Sequence, residues 1–236
     1  MRQHYQRKHH QIIAECLENF NPDYLVEHAI YFGGGTRIAL ELDEFRESID
    51  IDFLCKDKHA YRAVREEVSS NSLGSLVKQD FDYGREIMFE RYGVRTFIKI
   101  EQTLIKLEFI AFDNYQLSAE PPADTNLFPI PYLDRTSCFM TKLLANADRA
   151  GVKPYKDILD LVVMVNRWGA IPEKAFLAAY SHYGEKVVMS GLRKALNQLD
   201  NQTQNYKNTA LDMGITATYF DDVIVKTGKA MAVIYC

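Results

Sequence analysis

Two carboxylates, Asp50 and Asp52, stand two residues apart in the run Ser48-Ile49-Asp50-Ile51-Asp52-Phe53, a short helix length after Gly33-Gly34-Gly35-Thr36. On a β-strand, alternation places Ser48, Asp50 and Asp52 on one face and Ile49, Ile51 and Phe53 on the other. The apolar face can bury against a core while the opposite face presents the acids. Neighbouring carboxylates repel each other, and sharing divalent cations is the least costly way to keep both ionised. The upstream glycines allow the backbone to approach a phosphate closely, and the helix they open turns its N–H groups toward that anion. Each half alone is a weak signal: a triple glycine is commonly a plain turn, and an isolated Asp-x-Asp a solvated face or a cap. In this order and spacing they point together to nucleotide chemistry.

The elements that must hold these residues can be read from periodicity. Ile12, Ile13, Cys16, Leu17 and Phe20 recur at helical spacing over 8–20, and Asn21-Pro22-Asp23 ends that helix and starts a short second one. Residues 29–32 read as a strand running into the glycines, 36–42 as a short helix, 49–54 as a second strand and 58–69 as a helix. Between Glu86 and Phe112 the pattern changes to strands, with Tyr92-Gly93 as a hairpin turn and Leu104–Phe112 alternating until its apolar end. Residues 114–126, with Pro121-Pro122, read as a loop. Helical periodicity then dominates, over about 134–149, 154–167, 172–181, 184–199 and 218–230. The fold class expected is α/β (α+β): a mixed sheet with flanking helices in residues 1–133, followed by a helical part, 134–236, that completes the active-site cleft.

Composition is compatible with a globular enzyme. The 236 residues are 47% hydrophobic, enough for a substantial core, and the formal net charge of -4 gives no global basic field. Contacts with nucleic acid would therefore need a local patch. Cys16, Cys55, Cys138 and Cys236 are scattered without a Cys-x-x-Cys pair, which disfavours a zinc site or a disulfide framework and suits a reducing cytoplasm. The first ten residues lack an apolar signal region, and no stretch approaches the ~20 apolar residues of a spanning helix. The expected location is the cytoplasm, with no membrane partner.

The glycine turn followed by an Asp-x-Asp strand resembles the signature of the nucleotidyltransferase superfamily, the polymerase-β-like fold. More narrowly, Gly34-Gly35-Thr36 followed by Arg46-Glu47-Ser48-Ile49-Asp50-Ile51-Asp52-Phe53 resembles the AbiEii/AbiGii toxin family, whose members carry a Gly-Gly-Thr turn, a short helix and Arg-x-Ser-x-Asp-x-Asp-Phe. Two further matches are Lys142-Leu143, in place of the family's Lys-Leu helix motif, and Lys156-Asp157-Ile158-Leu159-Asp160-Leu161, in place of its Arg- or Lys-Asp-x-x-Asp-Leu motif. The resemblance spans about residues 30–161. Arg37 departs from it, since the family has a small or apolar residue after the turn threonine; the side chain either adds a phosphate contact or points to solvent.

The superfamily implies a third carboxylate on a neighbouring strand. Glu108, sharing a face with Lys106 opposite Leu107 and Phe109, is the candidate, with Glu101 as fallback. The plainer alternative for Glu108 is an ion pair with Lys106 on a wet face. On the helix 134–149, Lys142 and Arg149 lie two turns apart and share a face; on the next, Asp157 and Asp160 are neighbours. Taken alone, Lys142 reads as a solvated charge, and Asp157 as a first-turn acid favoured by the helix dipole behind Pro154. His28 and His59 read as structural or surface residues.

What the resemblance implies is metal-assisted nucleotidyl transfer. Asp50 and Asp52 would hold Mg²⁺ or Mn²⁺, with Glu108 as a further ligand or proton acceptor. Gly34, Gly35, Thr36 and Ser48 would cradle the phosphates of a nucleoside triphosphate through N–H and hydroxyl donors, Arg46 and Lys142 would neutralise phosphate charge, and Asp157 would orient Lys142. The family also implies a toxin that acts on RNA, with tRNA 3′ ends as acceptor and a cognate antitoxin as partner. Lys142, Arg149, Lys153, Lys156, Lys186, Arg193 and Lys194 could form an RNA track. Transfer to a small molecule or a protein hydroxyl, and a non-catalytic nucleotide-binding module, are the alternatives; the retained pair of repelling aspartates speaks against the last.

Overall fold

The computed structural model describes residues 5–112, 115, 117–120 and 127–236. The chain divides into two compact units, one from the described residues of Met1–Glu44 and Ser48–Asp134, the other from Phe45–Glu47 and Arg135–Cys236.

The first unit is built on a mixed sheet of seven strands among the described residues. In chain order they are β1 (Ile30–Gly33), β2 (Asp50–Cys55), β3 (Met88–Phe89), β4 (Gly93–Ile100), β5 (Thr103–Ala111), β6 (Ala119–Glu120) and β7 (Tyr132–Leu133), arranged β3-β4-β5-β2-β1-β7-β6. The helices of this unit are α1 (Lys8–Asn19), α2 (Pro22–Glu27), α3 (Gly34–Glu41) and α4 (Lys58–Glu67). β2 runs antiparallel to β1 and parallel to β5, so it lies in the interior of the sheet with a neighbour on each side. Its inward residues Ile51 and Phe53 and those of β5, Leu107 and Phe109, are fully or almost fully buried. The Phe53 and Phe109 rings stack at 4.9 Å, and Phe20 from the end of α1 packs 4.7 Å from Phe53. This aromatic layer anchors the apolar side of β2, which forces Asp50 and Asp52 to the other side. Ile49, expected on the apolar face, is 49% exposed because it precedes the first paired residue, Asp50, and so escapes the strand's alternation.

The second unit is helical: α5 (Arg135–Arg149), α6 (Lys156–Trp168), α7 (Glu173–Tyr183), α8 (Glu185–Asn201) and α9 (Thr203–Asp212), then a continuous stretch from Ala217–Tyr219 through a π-helical segment, Phe220–Val225, into α10 (Lys226–Tyr235). α6 buries Ile158, Leu159, Leu161, Val162, Val163 and Met164 almost completely. Gly191 of α8 lies against α5: a Cβ there would come within 2.8 Å of Ala147 Cα, so the two helices meet backbone to backbone. Pro154, expected in the first turn of α6, lies before it, because Tyr155 adopts a left-handed conformation (φ 57°) and the helix starts at Lys156. Three elements escaped the periodicity reading: the short strands β6 and β7, and α9, whose polar sequence buries only Tyr206, Thr209 and Ala210. Much of the expected loop 114–126 lies outside the described residues. Among the described residues no helix is long and apolar enough to cross a membrane.

Candidate active site

One row of residues crosses four strands. Gly33 on β1 pairs with Asp52 on β2, Asp52 with Glu108 on β5, and Glu108 with Arg95 on β4. Side chains in register on adjacent strands are close neighbours, so the pairing alone sets a carboxylate beside a carboxylate. Asp50 and Asp52 are both half-buried. The chain then turns from β1 into α3 at Gly34, with φ +71°, where a Cβ would stand 2.1 Å from Asp52 Oδ2. Only glycine fits, on conformational and steric grounds alike. The N-cap residue is Gly33, which offers no side-chain acceptor to the first N–H groups of α3.

The hydroxyls named from the sequence are engaged with each other. Thr36 Oγ1 lies 2.8 Å from Ser48 Oγ and also donates to the Asp50 carbonyl, tying the first turn of α3 to the start of β2. Thr36 is buried and Ser48 half-buried. The Ser48 N–H donates to His10 Nε2 at 3.0 Å and its hydroxyl is taken up by Thr36, so both of its expected donors are engaged within the fold. Arg37 neither points to solvent nor meets a phosphate: it is 1% exposed, paired with Glu41 one turn on, and its guanidinium lies 5.3 Å from the centre of the Tyr132 ring. A cation so placed is held inside the fold by an acid and a ring face.

Glu108 is held by two cations. Its Oε1 accepts from Arg95 Nε at 2.6 Å and its Oε2 from Lys106 Nζ. Burial works to raise its pKa, but the hydrogen bonds and charges of Lys106 and Arg95 bring it below the ordinary carboxylate value. The expected pairing with Lys106 is thus present, with Arg95 added from β4. Among the described residues no three His, Cys, Asp or Glu side chains are grouped as a metal site. Two half-buried carboxylates on one strand face, beside a backbone cradle that a methyl group would fill, nevertheless fit a divalent cation of the magnesium type, which takes one or two protein carboxylates and draws its other ligands from substrate phosphates and water.

The second unit contains a buried ion network. Asp160, fully buried, accepts from Arg46 through both oxygens, at 2.6 Å from Nε and 2.9 Å from Nη2. Lys142 Nζ lies 2.6 Å from Asp160 Oδ2 and 3.2 Å from Asp157 Oδ1, and Asp157 Oδ2 accepts from Arg149 Nη2 at 2.7 Å. Burial would raise the Asp160 pKa, yet Arg46 and Lys142 outweigh it and hold the carboxyl down at about 2. Burial would likewise depress Lys142, but Asp160 and Asp157 keep its pKa above the ordinary lysine value. Lys142 is therefore a buried, paired cation, contrary to the solvated reading, and Arg46 is buried beside it. Lys156 also belongs to the network, its pKa lowered by burial and then by Lys142 and Arg46. Four cations thus surround two carboxylates, leaving an excess of positive charge.

Sequence reasoning missed three participants. Asp160 stands in the matched Lys156–Leu161 motif and beside Asp157, but carries no role of its own in the sequence reading. Arg95 carries no motif, and its role follows only from strand pairing. His10 lies 38 residues from its partner Ser48, with no spacing signal to find it.

The fold so described is that of a nucleotidyltransferase. A solved structure from H. pylori, described as a candidate nucleotidyltransferase, superposes with a TM-score of 0.54 at 15% identity, over 99% of this chain and 94% of that one. JHP933 from Helicobacter pylori gives 0.47 at 16% identity over 98% and 99%, and an antigenic nucleotidyltransferase-like protein from Paracoccidioides brasiliensis 0.49 at 16% over 92% and 98%. No curated protein matches the sequence significantly. The chain belongs to the family described as nucleotidyl transferase AbiEii toxin, type IV toxin–antitoxin system, whose model matches residues 15–225 and so extends through most of the helical unit.

Proposed function

We propose that this protein is a metal-dependent nucleotidyltransferase that moves a nucleoside monophosphate from a nucleoside triphosphate to an RNA hydroxyl, with a tRNA 3′ end as acceptor. It would act in the cytoplasm as the toxin of a pair, restrained by a cognate antitoxin. The observation that carries this reading is the close approach of Gly34 to Asp52, which sets the N-terminus of α3 beside a two-carboxylate strand face.

In the reaction the acceptor oxygen attacks the α-phosphorus, the bond from that phosphorus to the bridging oxygen breaks, and pyrophosphate leaves. Mg²⁺ or Mn²⁺ held by Asp50 and Asp52 would supply charge neutralisation for the entering and leaving oxygens. The backbone of Gly34 and Gly35 binds the phosphates by N–H donation. Thr36 acts one step back, fixing Ser48 and the Asp50 carbonyl. Glu108, with both oxygens occupied by cations, is a poor proton acceptor, so its part is to keep the row of charges beside Asp52 fixed. In the helical unit, Arg149, half exposed, and Lys156 are the cations able to meet a phosphate. Lys142, Asp157 and Arg46 set their positions from within. The exposed groove lined by Glu185, Lys186, Met189, Ser190, Arg193 and Lys194 on α8 supports an RNA acceptor, since its three cations outnumber its one acid against an acidic average charge.

The test is label transfer. Protein, Mg²⁺ and each of the four α-³²P nucleoside triphosphates are incubated with total bacterial RNA and resolved on a denaturing gel. Label on tRNA-sized RNA, absent with Asp52→Asn, is the expected result. Label on protein would redirect the reading to protein modification, and no label in any lane from a folded protein would sink it.

A further inference from the structure

His10, on α1, is wholly buried and joins two points of the chain that flank the segment leading to β2. Its Nδ1 lies 2.8 Å from Glu44 Oε1, and its Nε2 accepts the Ser48 N–H at 3.0 Å. The bonds fix the tautomer. An N–H donor at Nε2 requires a lone pair there, so the proton resides on Nδ1, where the carboxylate, an acceptor only, receives it. Glu44 is itself anchored: its oxygens accept from the Gln6 N–H at 2.6 Å and the Arg7 N–H at 3.0 Å. Asp43 and Glu44 are both left-handed, at φ 56° and 52°, a conformation that non-glycine residues adopt when the surroundings hold them there. From Ser48 the chain of bonds continues to Thr36 and the Asp50 carbonyl.

We infer that His10 is a positioning residue for the phosphate cradle, acting through Ser48: by accepting the Ser48 N–H it fixes the Ser48 hydroxyl against Thr36 and, through Thr36, the first turn of α3 that would meet the phosphates of the nucleoside triphosphate. This rests on the proposed nucleotidyl-transfer reading. Glu44 serves the same end by denying His10 the other tautomer. Glutamine at position 44 could present its amide nitrogen instead of its oxygen, and that choice would allow the ring to place a proton against the Ser48 N–H.

The experiment is calorimetric titration of the full-length protein with each nucleoside triphosphate in Mg²⁺, for wild type, Asp52→Asn, His10→Ala, His10→Gln and Glu44→Gln, with a thermal melt of each. Wild type should bind one or more triphosphates in a manner lost with Asp52→Asn. His10→Ala should raise the dissociation constant about tenfold, the loss of roughly one hydrogen bond to a charged group. His10→Gln, whose amide oxygen can still accept the Ser48 N–H, should recover part of that loss. A purely architectural role would lower the number of sites titrated and leave the affinity of the folded fraction unaltered, and that outcome overturns the inference while the proposed function stands. Absence of binding by wild type overturns the proposed function and this inference with it. If His10→Ala does not fold, unchanged affinity in both His10→Gln and Glu44→Gln rejects the inference equally.

Discussion

A methyl group on Gly34 would lie 2.1 Å from Asp52 Oδ2, closer than any two unbonded heavy atoms can stand. The turn and the acid are therefore a single object, and a change at one displaces the other. Gly34→Ala should push Asp52 aside and strain a backbone held at φ +71°. A displacement on the order of 1 Å costs about 100-fold in rate where positioning is critical. Steady-state labelling of RNA, compared with the melting temperature, checks this: full activity in the variant would show that the contact has no bearing on the chemistry.

Asp160 sits between two buried cations, so its removal takes the carboxylate from Arg46 and leaves Lys142 with Asp157 alone. Asp160→Ala should destabilise the protein by about 3–5 kcal/mol, the cost of breaking a buried ion pair from one side. Urea unfolding of the full chain measures it. Replacing Asp160 together with Lys142 by apolar residues should recover part of the loss, since one of the two cations short of a carboxylate is then gone.

The same carboxyl gives an acid dependence with a definite sign. Its pKa is about 2 in the folded protein and about 3.9 when unfolded. The stabilisation is complete above the unfolded value and disappears as the pH falls from about 4 through about 2, amounting to roughly 2–3 kcal/mol. Glu44 and Glu108, also lowered, act in the same sense. Urea midpoints measured from pH 5 down to pH 2.5 should fall more steeply for wild type than for Asp160→Asn.

On α8 the exposed Lys186 and Lys194 are predicted to touch RNA phosphates and nothing else of consequence. Changing both to glutamine should leave the melting temperature and triphosphate affinity as they were. It should weaken RNA binding and flatten its salt dependence by about two charges in the log–log slope. An unchanged slope in filter binding from 50 to 200 mM salt would remove α8 from the acceptor surface.

How far the site can be read from the sequence depends on the range of each interaction. Asp50, Asp52 and the glycine turn are legible because strand alternation and left-handed turns act over a few residues. The aromatic layer beneath them, Phe53 on Phe109, follows from the same alternation once the strands are recognised. Ion pairing across distance is not legible: Arg46 meets Asp160 114 residues away, and nothing at either position distinguishes a buried charge from a solvated one. Lys142 read as solvated for that reason. His10 failed to register because its significance lies in two partners, Glu44 and Ser48, that only the fold brings to it. Helix α9 was lost because its buried stripe is three residues wide in an otherwise polar run.

The three residues Phe45–Glu47 belong to the helical unit although the chain on both sides belongs to the sheet unit. Asp160 thus depends for one of its two counter-ions on a segment that precedes the helical unit's other residues by almost ninety positions. A recombinant fragment started at Arg135 would carry the lysine but not the guanidinium, and an excised sheet fragment would have to loop out three orphaned residues. The linear order of the chain is consequently not the order of its parts: during synthesis Arg46 is made long before the acid it pairs with, and waits for residues not yet made.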